Sequence, residues 1–323
     1  MSFDFDAYVT TALFDGEGAA AFALGDGTVR FESGESVQAH EGAILCAAVH
    51  PSGDGVVSGG DDGRLVWSKA GGAQELAHVK GRWIESLSVS PASGLIAFGA
   101  GRDLHVRDIA DPAFTRVFSH EKSVADIAFD AKGRRIAVAT YNGAALWYAR
   151  IAEQKPQMLK WAGSHIAVVW SPDARFLITA MQENQLHGWR LSDAKDLRMG
   201  GYPAKPKSLA FVDKGMMMVT SGANGAVVWP FVGANGPMGK EAAEIGFDEK
   251  AMVVKVAGAP ARDVVAAGLD DGRLWAAELR SGRIEKLRQD KGPPITVLAV
   301  SADGKRLAWG DEKGGAGVLE TGL

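Results

Sequence analysis

An Asx-Gly dipeptide between two short apolar runs recurs along this chain, at Asp26-Gly27, Asp62-Gly63, Asn142-Gly143, Asn224-Gly225 and Asp271-Gly272. Such a pair supplies the positive φ that a two-residue hairpin requires, so each one marks a tight reversal between two strands. Looser versions stand at Gly101-Arg102-Asp103, Asn184-Gln185 and Gly314-Gly315. The eight turns follow one another at intervals of roughly 36 to 47 residues, a period that belongs to arrays of small supersecondary units.

Each unit repeats one order of strands and turns. In the copy from Ala39 to Trp67, a first strand over Ile44 to Val49 is turned by Pro51-Ser52-Gly53. A second strand over Val56 to Gly59 and a third over Leu65 to Trp67 then flank Asp61-Asp62-Gly63. The same order returns with first strands at Tyr8 to Phe14, Ile84 to Val89, Val124 to Phe129 and Val168 to Trp170, and at Leu209 to Phe211, Met252 to Val256 and Val297 to Val300. Segments such as Gln74 to Leu76 and Glu285 to Leu287 supply outer fourth strands.

With 46% hydrophobic residues and 41 glycines among 323, the chain has material for a large core and too many turn formers for a helical fold. The expected fold is all-β: a single β-propeller domain spanning residues 1 to 323, of eight four-stranded blades. The chain stops before a fourth strand can follow Val318-Leu319, so Phe3 to Asp6 is expected to pair on the last blade and close the ring. Seven blades is the alternative, should the Gly-rich insertion from Gly233 to Phe247 depart from blade geometry.

Composition excludes several function classes. Thirty-five basic against 39 acidic residues give a net charge of -4 with no run of five or more like charges, which argues against nucleic-acid binding. The lone cysteine, Cys46, rules out an internal disulfide and a Cys-based zinc site. The opening MSFDFDAYVTTALF lacks the basic and apolar regions of a secretory signal, and no apolar stretch is long enough to cross a membrane. A cytoplasmic location is expected.

The unit from His40 to Trp67 resembles a WD40 repeat, with His40 before the first strand, Ser58-Gly59 closing the second, and Asp61-Asp62-Gly63 leading into a Trp-bearing third. His78 and His120 recur at the matching place. The resemblance implies a His-Ser-Asp-Trp hydrogen-bond network within a blade. Here Trp67, Trp147 and Trp229 lie one residue short of the family position, which turns the side chain to the other face. They are expected instead to fill the layer between neighbouring blades.

What the resemblance implies about function is a non-catalytic scaffold for protein partners. No phosphate loop, nucleophile elbow or i, i+4 histidine pair occurs, and neither a metal nor a cofactor is expected. The carboxylates of Asp61-Asp62, Asp270-Asp271 and Asp311-Glu312 read as turn residues. A propeller enzyme, or a metal- or small-molecule-binding protein using the central channel, is the alternative.

In the family, the residue leading into each first strand lies on the platform around the channel. Strand and turn landmarks place Tyr8, Ala43, Trp83, Ser123, Ser164, Lys205, Lys250 and Pro294 there. Arg82 beside Trp83 is the pairing most suited to anchor a partner. The expected partner-binding set is Arg82, Trp83, Tyr8, Tyr141, Lys205 and Lys250. The expected partner is a protein, with neither nucleic acid nor membrane expected, and the chain is expected to be otherwise monomeric.

Overall fold

In the computed structural model, which describes residues 1–323, the chain forms 30 strands and a single 3₁₀ turn at Asp213–Gly215. First strands form in every repeat unit: Val9–Phe14, Ile44–Val49, Ile84–Ser90, Asp126–Phe129, the latter half of Gln157–Trp170, Leu209–Val212, Val253–Gly258 and Ile295–Val300. All pairings are antiparallel, and each unit runs outward strand by strand.

The expectation of eight four-stranded blades is corrected by the hydrogen bonding. Counted as hydrogen-bonded sheets, the ring has seven: six of four strands and one of six. The difference does not arise at Gly233 to Phe247, because Ala243–Ile245 completes an ordinary four-stranded sheet there. It arises in residues 135–170, where two repeat units share the six-stranded sheet. Arg135–Tyr148 reverses at Asn142 and Gly143, which stand at φ 69° and 135°. Tyr141 in that reversal pairs with Ser164 of Gln157–Trp170, and this one bridge carries the sheet from one unit into the next.

The ring closes through the N-terminus. Ser2–Asp4 pairs antiparallel with Gly315–Glu320, Ser2 opposite Gly317 and Asp4 opposite Gly315, and the Phe5 N–H donates to the Gly314 carbonyl at 3.0 Å. Phe3 and Phe5 stack at 5.5 Å and both lean on the buried ring of Phe22 in the first unit. An outer edge that would stand open is thereby covered.

The core lies between sheets, and one recurring contact builds it. The β-branched residue heading a first strand sits on a glycine in the second strand of the preceding unit: Ile84 on Gly59, Val124 on Gly99, Ile295 on Gly268 and Val9 on Gly310. A Cβ on Gly99 would lie 2.7 Å from Cγ1 of Val124, so only a bare backbone admits the knob. Ile84 and Val9 are completely buried by this arrangement.

Candidate interaction face

The Asx-Gly hairpins and the segments leading into the first strands share one face of the ring. Gly27, Gly63 and Gly272 take φ of 83°, 76° and 83°, the left-handed region that glycine tolerates. Their carbonyls, or those beside them, hold the chain leaving the fourth strand: Val79 N–H donates to Gly63 at 2.8 Å, Gly292 N–H to Asp271 at 2.8 Å, and His40 N–H to Gly27 at 3.1 Å. Gly63 also lies directly under the next loop, since a Cβ there would be 2.6 Å from the Arg82 carbonyl oxygen. The loops of this face are therefore fixed by backbone bonds before anything docks on them.

Side-chain networks brace them further. His40 is buried, with Nδ1 2.9 Å from Asp62 Oδ1 and Nε2 2.8 Å from Ser58 Oγ. Asp62 in turn accepts the N–H groups of Glu41 at 3.2 Å and Arg64 at 3.0 Å. Three members of the network implied by the resemblance thus assemble, while Trp67 stays outside it: its Nε1 donates to the Asp54 carbonyl at 2.8 Å and its ring stacks on His50.

The expectation that the one-residue shift removes every such tryptophan from these networks does not hold. Trp147 donates to His120 Nε2 at 2.9 Å, and Trp229 donates to the Tyr202 hydroxyl at 2.7 Å, which bonds Thr220. The burial that secures this last network pushes the Tyr202 hydroxyl up to about 12. His78, by contrast, is exposed and takes no part.

The carbonyl of the residue leading into a first strand accepts the N–H that ends the second strand. Tyr8, Ala43, Ser164 and Pro294 make this bond. In two units the geometry puts another residue there, Ser208 rather than Lys205 and Met252 rather than Lys250. Lys250 is exposed two residues earlier, and Lys205 is half-buried.

Three of the expected residues stand well out of the surface: Trp83 is 59% exposed, Tyr141 55% and Tyr8 48%. Arg82 is exposed beside Trp83, and its guanidinium lies over Gly101 rather than against a carboxylate. The sequence reading missed Phe247, 62% exposed, on the segment between Ala243–Ile245 and Val253–Gly258. Its signal was present in the Gly-rich insertion that ends there.

Two groups on the inner strands are shifted by burial. The Cys46 thiol is pushed up to about 12, chiefly by desolvation, and donates to the Ile84 carbonyl at 3.3 Å. Asp126 is raised to about 6 by burial, although its carboxyl accepts the Val168 N–H at 2.8 Å. No helix is long and apolar enough to cross a membrane.

A family model described as "WD domain, G-beta repeat" matches residues 32–67. Comparison with curated proteins found no match. Among solved structures, the computationally designed Ika8 protein superposes with a TM-score of 0.78 at 18% identity, covering 98% of this chain and 97% of that one. The β-propeller domain of Cps50 (Swd1) from Myceliophteria thermophila gives a TM-score of 0.67 at 15% identity, covering 86% of this chain and 96% of that one. Residues 32–67 thus match a WD40 repeat, and the ring of small sheets and the likenesses to solved structures give the whole chain a β-propeller fold.

Proposed function

We propose that the protein is a non-catalytic scaffold, a monomer of one domain in the cytoplasm, that docks a partner protein on the face bearing Trp83. The observation that carries this reading is the pairing of Trp83, 59% exposed, with an Arg82 that has no ion-pair partner. Tryptophan and arginine dominate interface energetics, and a residue already held by rigid loops loses little freedom on binding. Tyr8 and Tyr141 extend the apolar surface on the same face, and Lys250 adds a cation at its rim. The balanced charge of the chain favours a protein over a nucleic acid.

The experiment is quantitative affinity capture with wild-type protein and an Arg82→Ala/Trp83→Ala variant, after circular dichroism has established that both are folded. Truncating such anchors costs about 2 kcal/mol each in many interfaces, so a partner held by this face should fall by more than tenfold. Equal recovery of every protein by both forms contradicts the reading.

A further inference from the structure

We propose that the crevice between the sheets containing Ala243–Ile245 and Leu274–Glu278 is a docking groove for an acidic peptide segment of a partner, one carrying an apolar side chain beside its carboxylate. The groove opens at the outer edge of the same face. The proposal rests on the scaffold reading, but not on Trp83.

The cavity measures about 330 Å³, and Phe247, Leu274, Trp275, Ile284, Lys286 and Arg288 line it. Its apolar wall is unfinished: Phe247 is 62% exposed and Ile284 38%. Phe247 also lines the adjoining cavity of about 400 Å³ beside Tyr202 and Trp229, so it stands as a partition between two hollows. Asn224 holds the partition in place, its Nδ2 donating to the carbonyls of Asp248 and Ala251 at 3.0 Å each, while Asp248 N–H returns a bond to the Asn224 carbonyl at 3.1 Å. A large apolar ring fixed in solvent by a clamped loop is a surface awaiting a partner.

The polar wall holds donors without partners, and its one carboxylate, Asp248, is already paired with Arg273. Trp275 is 6% exposed, and its buried Nε1 has no hydrogen-bond partner. The buried Nη1 of Arg288 likewise has none, with the nearest carboxylate, Asp311, at 3.6 Å and the guanidinium lying 4.6 Å over Trp309. Lys286 is exposed and forms no ion pair. Arg273, by contrast, is satisfied by Asp248 at 2.7 Å and Asp271 at 2.9 Å. A carboxylate seated here meets two cations and an indole donor, and an apolar neighbour covers Phe247 and Ile284.

The test is to pan a phage-displayed heptapeptide library on the full-length protein, and to measure the enriched peptides by fluorescence polarisation on wild type, Lys286→Glu, Phe247→Ala and Trp83→Ala. Both groove substitutions are at exposed side chains and leave the fold to be verified by thermal melting. The proposal expects peptides with an acid next to an apolar residue, weakened about tenfold or more by Lys286→Glu and by Phe247→Ala and unchanged by Trp83→Ala. It is overturned if no sequence is enriched, if the enriched peptides carry no acid, or if they bind both groove variants as well as wild type. Loss with Trp83→Ala alone would place the peptides on the platform, which removes the groove and leaves the scaffold reading standing.

Discussion

Val9 and Gly310 meet across the seam where the last repeat unit touches the first: a Cβ on Gly310 would lie 2.8 Å from Cβ of Val9. The Thr296 hydroxyl bridges the same seam, directed at the Val9 carbonyl at 3.0 Å and the Gly310 carbonyl at 3.2 Å. Ring closure therefore depends on a knob, a bare backbone and one hydroxyl, in addition to the strand Ser2–Asp4. Gly310→Val should destabilise the fold by about 1–3 kcal/mol through overpacking, read as a lowered denaturant midpoint. A midpoint equal to wild type would show that the seam tolerates a side chain.

His40 ties the hairpin at Asp62 to the second strand at Ser58. Its replacement by alanine leaves Ser58, which is completely buried, and Asp62 each short of a partner. A loss of about 2 kcal/mol is expected, and Trp67→Phe should cost less because that indole lies outside the network. Equilibrium urea unfolding of the two variants checks the order.

His187 is buried against Trp161, with ring centroids 3.9 Å apart, and neither of its nitrogens has a hydrogen-bond partner. Burial first, and then the charge of His165, lowers it from 6.5 to about 4. The unfolded chain thus takes up the proton first as pH falls. The stability tied to the neutral ring is complete above pH 6.5 and is lost as pH falls towards 4, by at most about 3 kcal/mol. His187→Phe should flatten the fall in unfolding free energy between pH 6.5 and 4.5. An unchanged slope would assign the acid sensitivity to other groups.

Asp126 has the opposite sign. Its folded value is raised from 3.8 to about 6, so the folded chain binds the proton more tightly and stability declines as pH rises through that window. Asp126→Asn keeps an acceptor for Val168 N–H and removes the buried charge. The variant should be more stable than wild type at pH 7.5 by about 2 kcal/mol, and the advantage should vanish near pH 4. Calorimetry at the two pH values measures both.

Much of this architecture was legible because hairpin chemistry is local. Asp62-Gly63 and Asp271-Gly272 announce their turns in two residues, and the closure by the N-terminus followed from a missing fourth strand after Val318. The sheet count was not legible, since it turns on the Tyr141–Ser164 bridge, a contact between units that no short-range pattern encodes. For the same reason Lys205 and Lys250 were set at positions that Ser208 and Met252 occupy: loops of unequal length lead into those strands, and spacing alone does not fix the register. The tryptophan networks of Trp147 and Trp229 were missed because their acceptors, His120 and Tyr202, come from segments 27 residues away.

The most direct measurement of the central claim is site-specific photo-crosslinking in cells, with a benzophenone amino acid placed at Trp83 or at Tyr148, another exposed aromatic position, 54% exposed and remote in the chain from Arg82 and Trp83. Docking through the Trp83 surface predicts a discrete adduct of higher mass from position 83 and none from position 148. Equal adducts from both positions, or an adduct from 148 alone, would contradict it.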